Sequence, residues 1–335
     1  MKLFCCGFNL YRQFECSSNI IRNFVECTYD RARAFTPGHT YNLTIEDGGV
    51  FMLNNHKRTQ LPLPNEFKAQ KALGIDSRCL ILSTNGVLLK YDLTKSTWVE
   101  LSRNISKIAF GNKLAIALDS SGSIFNLPLQ LEFNRRIIDM ATGCEHCLLL
   151  DESGRVYSFG RGSRGQLGHG SLADEDEPKL IDALDGIKIK KIAAGGWHSC
   201  AVSVDGDLYS WGWNGNGQLG IYNDEKIALA VMACPHIINF DDDIQLNVVD
   251  VACGRRHTVV FLSKLNCVPS DFYQIFCLAG NRKLYGAGWN KYCQLTDVIR
   301  KENVYKMEFL YDFSGVNVEK LMCGPWSTVL CVSMY

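Results

Sequence analysis

The chain has 335 residues, of which 47% are hydrophobic and 21% are charged, so it can form a sizeable core and is not expected to be disordered. Lysine plus arginine and aspartate plus glutamate each number 35, which makes the formal net charge zero. Proteins that bind nucleic acid through its phosphates normally carry a basic excess or tail, so direct nucleic-acid binding is not expected. No apolar run is long enough to span a membrane, and the first residues turn polar too soon for a signal peptide.

The fifteen cysteines are an odd number and are scattered through predicted strands, for example at Cys200 and Cys331. This usage indicates buried free thiols in a reducing compartment. Cys144 and Cys147 have the spacing of half a zinc site. No second pair is placed to complete such a site, so we interpret both thiols as core residues and expect neither a metal nor a cofactor.

One spacing recurs four times along the chain: a glycine is followed six residues later by a glutamine. In two copies the glycine itself comes 14 residues after a histidine, namely His146 and His198. The first copy has no upstream half because the chain has only just begun. The four copies are Gly7 with Gln13, Gly160 with Gln166, Gly212 with Gln218, and Gly288 with Gln294.

The missing half of the first copy is found at the other end of the chain. Residues 323–328 read Cys-Gly-Pro-Trp-Ser-Thr and match residues 194–199, Ala-Gly-Gly-Trp-His-Ser, with Ser327 at the histidine position. A chain whose last segment completes the unit begun by its first segment is most simply a closed ring. The sequence therefore predicts an all-β fold, a β-propeller closed by the N-terminal strand joining the C-terminal blade, which leaves only short, protected sheet edges.

The units read in chain order as strand, turn, strand, turn, with Asp-Gly hairpin signals such as Asp205-Gly206. Degenerate copies occupy residues 20–130. Counting the histidine position predicts seven blades, and residues 1–335 are expected to form a single propeller domain. The histidine position falls at residues 30, 77, 114, 146, 198, 257 and 327. The well-matched repeats cover 141–220, 251–295, and 321–335 together with 1–14.

Two segments do not fit the repeat. Residues 220–250 form a long connection, which we expect to be a surface loop. Between His257 and Gly288 the spacing is 31 residues instead of 14, and the excess lies in residues 264–280. This segment is either an inserted binding loop, in which the apolar residues 272–278 need a partner or a buried site, or a translated intron in the gene model.

The clear units share the order Gly-x-x-His, a strand, Gly-x-(Val/Leu)-Tyr-Ser-(Trp/Phe)-Gly and Gly-Gln-Leu-Gly. This order resembles the regulator of chromosome condensation repeat, strongly across 143–220 and more weakly elsewhere. Three segments, at 195–198, 211–214 and 323–326, are most similar to the small adaptor members of that family in animals. The resemblance implies a monomeric adaptor without catalytic activity, located in the nucleus or in both the nucleus and the cytoplasm.

The same resemblance implies a protein partner of the JmjC-type oxygenase class and an indirect link to chromatin, in histone methylation control or chromosome segregation. The alternative within the family is a guanine-nucleotide exchange factor for a small GTPase. The family's exchange factor uses a face of the propeller and a protruding β-wedge, and it holds chromatin with a basic tail. This sequence shows no basic tail and no obvious wedge, so we prefer the adaptor.

His146, His198 and His257 recur at one position of the repeat, so we interpret them as structural rather than as a catalytic or metal triad. No serine or cysteine recurs beside them with a partnered acid, so nucleophilic catalysis is not expected. The glycine-rich loops lack the lysine of a phosphate-binding loop.

The residue after the repeat's second glycine is Phe8, Trp213 or Trp289 in three consecutive blades, and Arg161 in the blade before. Equivalent positions in neighbouring blades fall on one face of a ring. These residues either pack between blades or form a partner-binding patch, because Trp and Arg dominate interface hot spots. The patch would also include Trp197 and Trp326, and the basic pair Arg135 and Arg136 is a second candidate contact.

Overall fold

A computed structural model of the chain describes residues 1–221, 230–240, 247–263 and 282–333. Within these residues, 28 strands form seven four-stranded sheets. The sheets are the blades of a seven-bladed β-propeller, which confirms the predicted fold class and blade number. No helix in the described ranges is long and apolar enough to cross a membrane.

The strands follow one another blade by blade, except that the first two belong to the last blade. They are β1 (Lys2–Phe8) and β2 (Ile20–Thr28). Blade 1 has β3 (Ala34–Thr36), β4 (Asn42–Glu46), β5 (Gly49–Asn54) and β6 (Lys57–Gln60). Blade 2 has β7 (Ala69–Ile75), β8 (Arg78–Ser83), β9 (Leu88–Asp92) and β10 (Thr97–Ser102). Blade 3 has β11 (Ile105–Phe110), β12 (Ala115–Asp119), β13 (Ile124–Asn126) and β14 (Leu129–Gln130).

The remaining blades contain the well-matched repeats. Blade 4 has β15 (Ile137–Thr142), β16 (His146–Asp151), β17 (Val156–Gly160) and β18 (Glu175–Leu180), followed by a short 3-10 helix at Asp182–Leu184. Blade 5 has β19 (Ile189–Ala194), β20 (His198–Ser203), β21 (Leu208–Trp213) and β22 (Val231–Ile238). Blade 6 has β23 (Asn247–Cys253), β24 (His257–Ser263), β25 (Arg282–Trp289) and β26 (Asn303–Asp312). Blade 7 joins β27 (Asn317–Gly324) and β28 (Ser327–Ser333) to β1 and β2.

The core lies between neighbouring sheets. In blades 1–6 the strands are hydrogen-bonded in chain order. The first strands of neighbouring blades contact one another and surround the centre, as β19 does with β15 and β23. The second strands β16, β20 and β24 are buried along their whole length. Burial on both faces explains why these strands read as continuous apolar runs rather than as an alternation of polar and apolar residues.

Two loops of each blade meet at the same end of the ring. In blade 5 the turn between the first two strands leads into His198, and the third strand ends at Trp213, one residue after Gly212. His198 and Gly212 pair in the sheet. We call this end of the propeller the turn face. The same pairing joins His146 to Gly160 in blade 4 and His257 to Gly288 in blade 6.

The ring is closed by the N-terminal strand. Strand β1 pairs antiparallel with β28 from Lys2 opposite Val332 to Gly7 opposite Ser327. On its other side β1 pairs with β2, so the N-terminal segment supplies the two outer strands of blade 7. The split repeat therefore predicted the closure correctly.

A repeated hydrogen-bond relay fastens blade to blade beneath the turn face. His146 Nε2 lies 2.9 Å from Ser199 Oγ of the next blade, and that hydroxyl donates to the carbonyl of Gln166 over 2.9 Å. The one hydroxyl proton of Ser199 is used in the hydrogen bond to the carbonyl. The hydroxyl oxygen therefore accepts a hydrogen bond from His146, whose Nε2 carries the proton. We call this unit the histidine–hydroxyl relay. It recurs as His198, Thr258 and the Gln218 carbonyl, and as His257, Thr328 and the Gln294 carbonyl.

Two positions of the repeat require glycine for different physical reasons. A Cβ added to Gly195 would overlap the imidazole of His198, and its φ is ordinary, so glycine is needed there for close approach. Gly212 has a φ of 100°, a conformation that L side chains rarely adopt. The glutamine side chain fixes the loop that follows, since Gln218 Oε1 accepts the backbone N–H of Asn216 over 3.0 Å.

Two interfaces that lack the relay differ in how its groups are replaced. At the interface of blades 3 and 4 the histidine position holds Leu114 and the hydroxyl position holds Cys147. At the interface of blades 7 and 1 the histidine position holds Ser327, and the carbonyl of Gln13 instead accepts from Asn42 Nδ2 over 2.8 Å. The interface of blades 3 and 4 therefore lost both groups together, whereas at the interface of blades 7 and 1 the Ser327 hydroxyl is buried and has no hydrogen-bond partner.

Two expected histidine positions were wrong. The position expected at residue 30 corresponds to Asn42, the first residue of β4, because residues 20–28 form the outer strand of blade 7 instead of opening blade 1. The position expected at residue 77 falls on Arg78, where β8 begins and pairs back with Ile75. The segment at 264–280 lies outside the described residues. The surface loop expected at 220–250 was wrong in part, because Val231–Ile238 forms β22 and β23 begins at Asn247. Residues 222–229 and 241–246 of that segment lie outside the described residues.

Candidate protein-interaction face

Each well-matched blade presents two side-by-side residues on the turn face. Trp197 ends the turn before His198, and Trp213 follows Gly212. The backbone N–H of Trp213 donates to the carbonyl of Trp197 over 2.8 Å, which holds the two indoles together. The same backbone bond pairs Glu145 with Arg161 in blade 4, Arg256 with Trp289 in blade 6, and Trp326 with Phe8 in blade 7.

The four tryptophans of this face are half-buried and packed edge to face. The ring centroids of Trp197 and Trp213 lie 5.7 Å apart, and those of Trp289 and Trp326 lie 4.9 Å apart. Both pairs adopt the T-shaped geometry that aromatic quadrupoles favour. The indole N–H of Trp289 donates to Glu302 over 3.1 Å.

Three arginines lie over these rings. The Arg164 guanidinium is 4.7 Å from the Trp197 ring centroid and 5.1 Å from that of Trp213. Arg255 lies 5.9 Å from Trp197 and 6.0 Å from Trp326. Arg256 lies 5.3 Å from Trp213 and 5.6 Å from Trp289. We call these seven residues the tryptophan–arginine band; they are Arg164, Trp197, Trp213, Arg255, Arg256, Trp289 and Trp326.

Aromatic contacts extend the band into blade 7. Tyr292 contacts Trp289 with centroids 5.3 Å apart and Phe8 at 5.0 Å. Phe8 continues to His39 at 5.4 Å and to Tyr11 at 5.9 Å. Phe8 itself is only 8% exposed, so its role in the face is to support its neighbours more than to offer surface.

The structure does not place every predicted partner-binding residue in the tryptophan–arginine band. Arg161 is exposed and pairs with Asp174 instead of stacking on a tryptophan. Arg135 and Arg136 lie at the opposite end of blade 4, because they precede Ile137, which pairs with Asp151 far from the turn face. Their role as a second contact stays a prediction.

Arg164, Arg255 and Arg256 were missed by the sequence analysis. Aligning the turns would have found two of them, because Gly-Arg-Arg-His at 254–257 replaces Gly-Gly-Trp-His at 195–198, so Arg256 occupies the position of Trp197. Arg164 has no such signal. It reaches the indoles of blade 5 only because the loop of blade 4 leans over the next blade.

The turn face also contains the mouth of the central channel, with a cavity of about 220 Å³. All seven blades line it, mainly with turn backbone, and neighbouring turns are linked by hydrogen bonds such as Arg255 N–H to the Pro325 carbonyl over 3.0 Å. Arg255 belongs to both this cavity and the band. Burial lowers the pKa of His39 at the rim, and the nearby Arg255 charge lowers it further.

The close contact of His146 with Ser199 resembles a catalytic pair, but its surroundings do not. Both side chains are fully buried, and the serine proton is committed to the Gln166 carbonyl. His146 Nδ1 has no hydrogen-bond partner, so no carboxylate orients the ring. Burial, with a smaller effect of His198, lowers the pKa of His146 to about 3. Such an imidazole is a poor general base near neutral pH.

In the described ranges, no cluster of three or more His, Cys, Asp or Glu side chains is placed to hold a metal ion. Cys147 packs in the core of blade 4, as expected, whereas Cys144 is half-buried and lines the mouth of the channel, so its expected place in the core was wrong. The chemistry offered by the turn face is therefore stacking and hydrogen-bond donation to a partner.

Comparison with known proteins agrees with the repeat. A family model of the regulator of chromosome condensation (RCC1) repeat matches residues 153–202 and 205–261, and a second model of that repeat matches 137–166 and 189–218. RCC1 domain-containing protein 1 of Homo sapiens is 34% identical over 239 residues, which cover 61% of this chain and 58% of that protein. Its Mus musculus counterpart is 34% identical over 235 residues, covering 61% and 57%.

The chain thus spans less than two thirds of the length of these curated relatives. Among solved structures, yeast RCC1 (Prp20) bound to Kap60 matches with a TM-score of 0.79 at 17% identity, covering 100% of this chain and 89% of that one. At that identity the likeness shows the fold alone. Repeat motif, relatives and fold lead to one conclusion: residues 137–261 contain RCC1 repeats, and the chain is similar to RCC1 domain-containing protein 1.

Proposed function

We propose that this chain is a non-catalytic protein-interaction adaptor that binds its partner through the turn face of a single propeller domain, residues 1–335. The observation that carries the proposal is the tryptophan–arginine band. Trp and Arg are the residues most enriched at interface hot spots. Here seven of them are concentrated on one face of blades 4–7, with the indoles half-buried and the rest of each ring reachable.

The resemblance to the adaptor members of the family extends the proposal. We propose a JmjC-type oxygenase as the partner, a nuclear location and an indirect link to chromatin, with the chain acting as a monomer. The zero net charge supports an indirect rather than a direct link, because contact with nucleic-acid phosphates requires a cationic surface.

The test is co-purification of the recombinant chain with a panel of recombinant JmjC-domain oxygenases. Trp213→Ala and Trp289→Ala should each weaken a complex that the wild-type chain forms. The matched control is Arg103→Ala, an exposed arginine paired with Glu100 away from the turn face. Equal binding by all three variants would contradict the use of this face, and no binding to any member of the panel would contradict the partner class.

A second assay separates the adaptor from the exchange-factor alternative. The chain is mixed with small nuclear GTPases loaded with a fluorescent nucleotide, and release is followed by stopped flow. We expect the rate of release to be unchanged. Acceleration by orders of magnitude would replace the adaptor with an exchange factor.

A further inference from the structure

The tryptophan–arginine band is rich in hydrogen-bond donors that have no acceptor. Each guanidinium carries five N–H donors and no acceptor. None of the ion pairs or side-chain hydrogen bonds of the described chain uses the side chains of Arg164, Arg255 or Arg256. The Nε of Arg256 is buried and unpartnered. The three arginines are half-buried, so their unpaired N–H donors are partly removed from water, which is costly. A partner that supplies acceptors would pair the donors that reach the surface.

Elsewhere in the same fold, stacked arginines are provided with acceptors. Arg58 lies 3.6 Å from the Phe51 ring centroid, and the Glu46 carboxylate accepts from its Nε over 3.1 Å and from its Nη2. Arg78 lies 5.7 Å from the Phe110 ring and donates to the Asn112 carbonyl over 3.0 Å. The three band arginines have the same stacked arrangement with the acceptor missing.

We propose that Arg164, Arg255 and Arg256 form a binding site for an acidic segment of a protein partner, whose aspartate or glutamate carboxylates accept the free N–H groups. This inference rests on the proposed function and adds the chemistry of the partner. The indoles cover the flat faces of the guanidinium groups and leave their in-plane N–H donors free. A carboxylate matches that fork with two parallel hydrogen bonds.

The surroundings of the band favour a short acidic segment over a continuous polyanion. Carboxylates border the cationic area: Glu145 stands in blade 4 where blade 5 has Trp197, and Glu302 sits beside Trp289. A nucleic-acid backbone crossing the face would meet these charges, whereas a few side-chain carboxylates need reach only the arginines. The indole faces are also occupied by guanidinium groups, which leaves no open platform for stacking bases.

Binding is tested with a fluorescein-labelled peptide of alternating glutamate and glycine, followed by fluorescence anisotropy against the full chain. The matched control peptide has glutamine in place of every glutamate. We expect the glutamate peptide to bind and the glutamine peptide not to bind. Raising the salt from about 0.05 to 0.5 M should weaken binding, because carboxylate–guanidinium attraction on an open face is screened. Tryptophan emission should change in parallel, since four of the chain's six tryptophans lie in the band.

The decisive variant is Arg255→Gln with Arg256→Gln, which removes both charges and forks; we expect affinity for the glutamate peptide to fall about tenfold or more. The double variant Arg255→Lys with Arg256→Lys keeps the positive charges but loses the planar fork of donors. Its affinity for the glutamate peptide should therefore lie between those of the wild-type chain and the glutamine variant. The control variant, Arg103→Ala with Arg155→Ala, removes two arginines that are already paired with carboxylates at the other end of the blades. Melting temperatures show whether each variant is folded.

Three results would overturn the inference: equal binding of the glutamate and glutamine peptides, wild-type affinity in the glutamine variant, or self-association of the chain that the glutamine variant abolishes. The last result would mean that a second copy of this chain fills the band. If Trp213→Ala abolishes an oxygenase complex while the glutamate peptide does not bind, the proposed function stands and the acidic partner is wrong. If the glutamate peptide binds but no oxygenase does, the acidic site stands without that partner class.

Discussion

Replacing Thr258 by valine should destabilise the propeller at the interface of blades 5 and 6. The hydroxyl of Thr258 donates to the Gln218 carbonyl over 2.7 Å, and its Oγ1 lies 2.9 Å from His198 Nε2. Valine has the same shape but no hydroxyl. Thr258→Val therefore leaves one N–H and one carbonyl unpaired, all within a site where Thr258, His198 and Gln218 are fully buried.

The expected cost follows from these two groups. Each buried group left without a partner costs about 1–3 kcal/mol, so the loss of two partners should lower the free energy of unfolding by about 2–6 kcal/mol. With an unfolding entropy of about 2.1 cal/mol/K per residue, each kcal/mol lowers the melting temperature of a chain this long by about 1.5 °C. The expected decrease is therefore about 3–9 °C.

Thermal unfolding of matched variants checks this reasoning. Thr258→Ser keeps the hydroxyl and loses one methyl group, which should cost about 1 kcal/mol. The reverse experiment is Cys147→Ser, which adds a hydroxyl opposite Leu114, where no histidine donates to it, and should be destabilising as well. If the valine variant melts no lower than the serine variant, the relay does not hold the blades together.

Three further outcomes are expected. Burial lowers the pKa of both His146 and His257 from 6.5 to about 3. The stability that these neutral histidines contribute is therefore complete above pH 6.5 and is lost as the pH falls. At pH 5 the free energy of unfolding, measured by denaturant titration, should be lower by about 2 kcal/mol per histidine. Deleting residues 1–15 should cause aggregation or a large loss of stability, and a truncated chain that melts like the full chain would refute closure. Trp213→Ala should weaken partner binding by about 2–4 kcal/mol, whereas the fully buried control Trp211→Ala should lower stability by about 3–5 kcal/mol; unchanged affinity with a lower melting temperature in Trp213→Ala would mean that it only packs.

The closed ring could be predicted because closure divides one repeat between the two ends of the sequence. Gly7 lacks an upstream half, and Ser327 lies in an upstream half without a continuation, so pairing the ends was the simplest solution. The weak blades were harder. Residues around 27–30 read as a repeat start, yet they close blade 7, because strand propensity cannot reveal which sheet a strand joins.

The candidate face was only half visible for a related reason. The tryptophans stand at fixed positions of the repeat, so their sharing of one face followed from periodicity. Arg161 was included on the same argument, but an acid 13 residues further along the chain, Asp174, takes its guanidinium. Arg164 contacts the indoles across a blade boundary, and the angle between neighbouring blades is not written in any single repeat.

The blades that keep the histidine–hydroxyl relay are also the blades that carry the band. Trp197 directly precedes His198, and Trp213 directly follows Gly212, the residue that pairs with this histidine. The relay therefore fixes the backbone on which both indoles stand, and Arg256 beside His257 is held in the same way. Stacking of a guanidinium over two rings requires that neighbouring blades keep a constant spacing. Directional hydrogen bonds in a buried relay fix this spacing better than apolar contact alone. Within the described residues, blades 1–3 contain neither the relay nor the band. These blades hold no tryptophan–arginine stack, so they do not need the relay to keep such a stack in place.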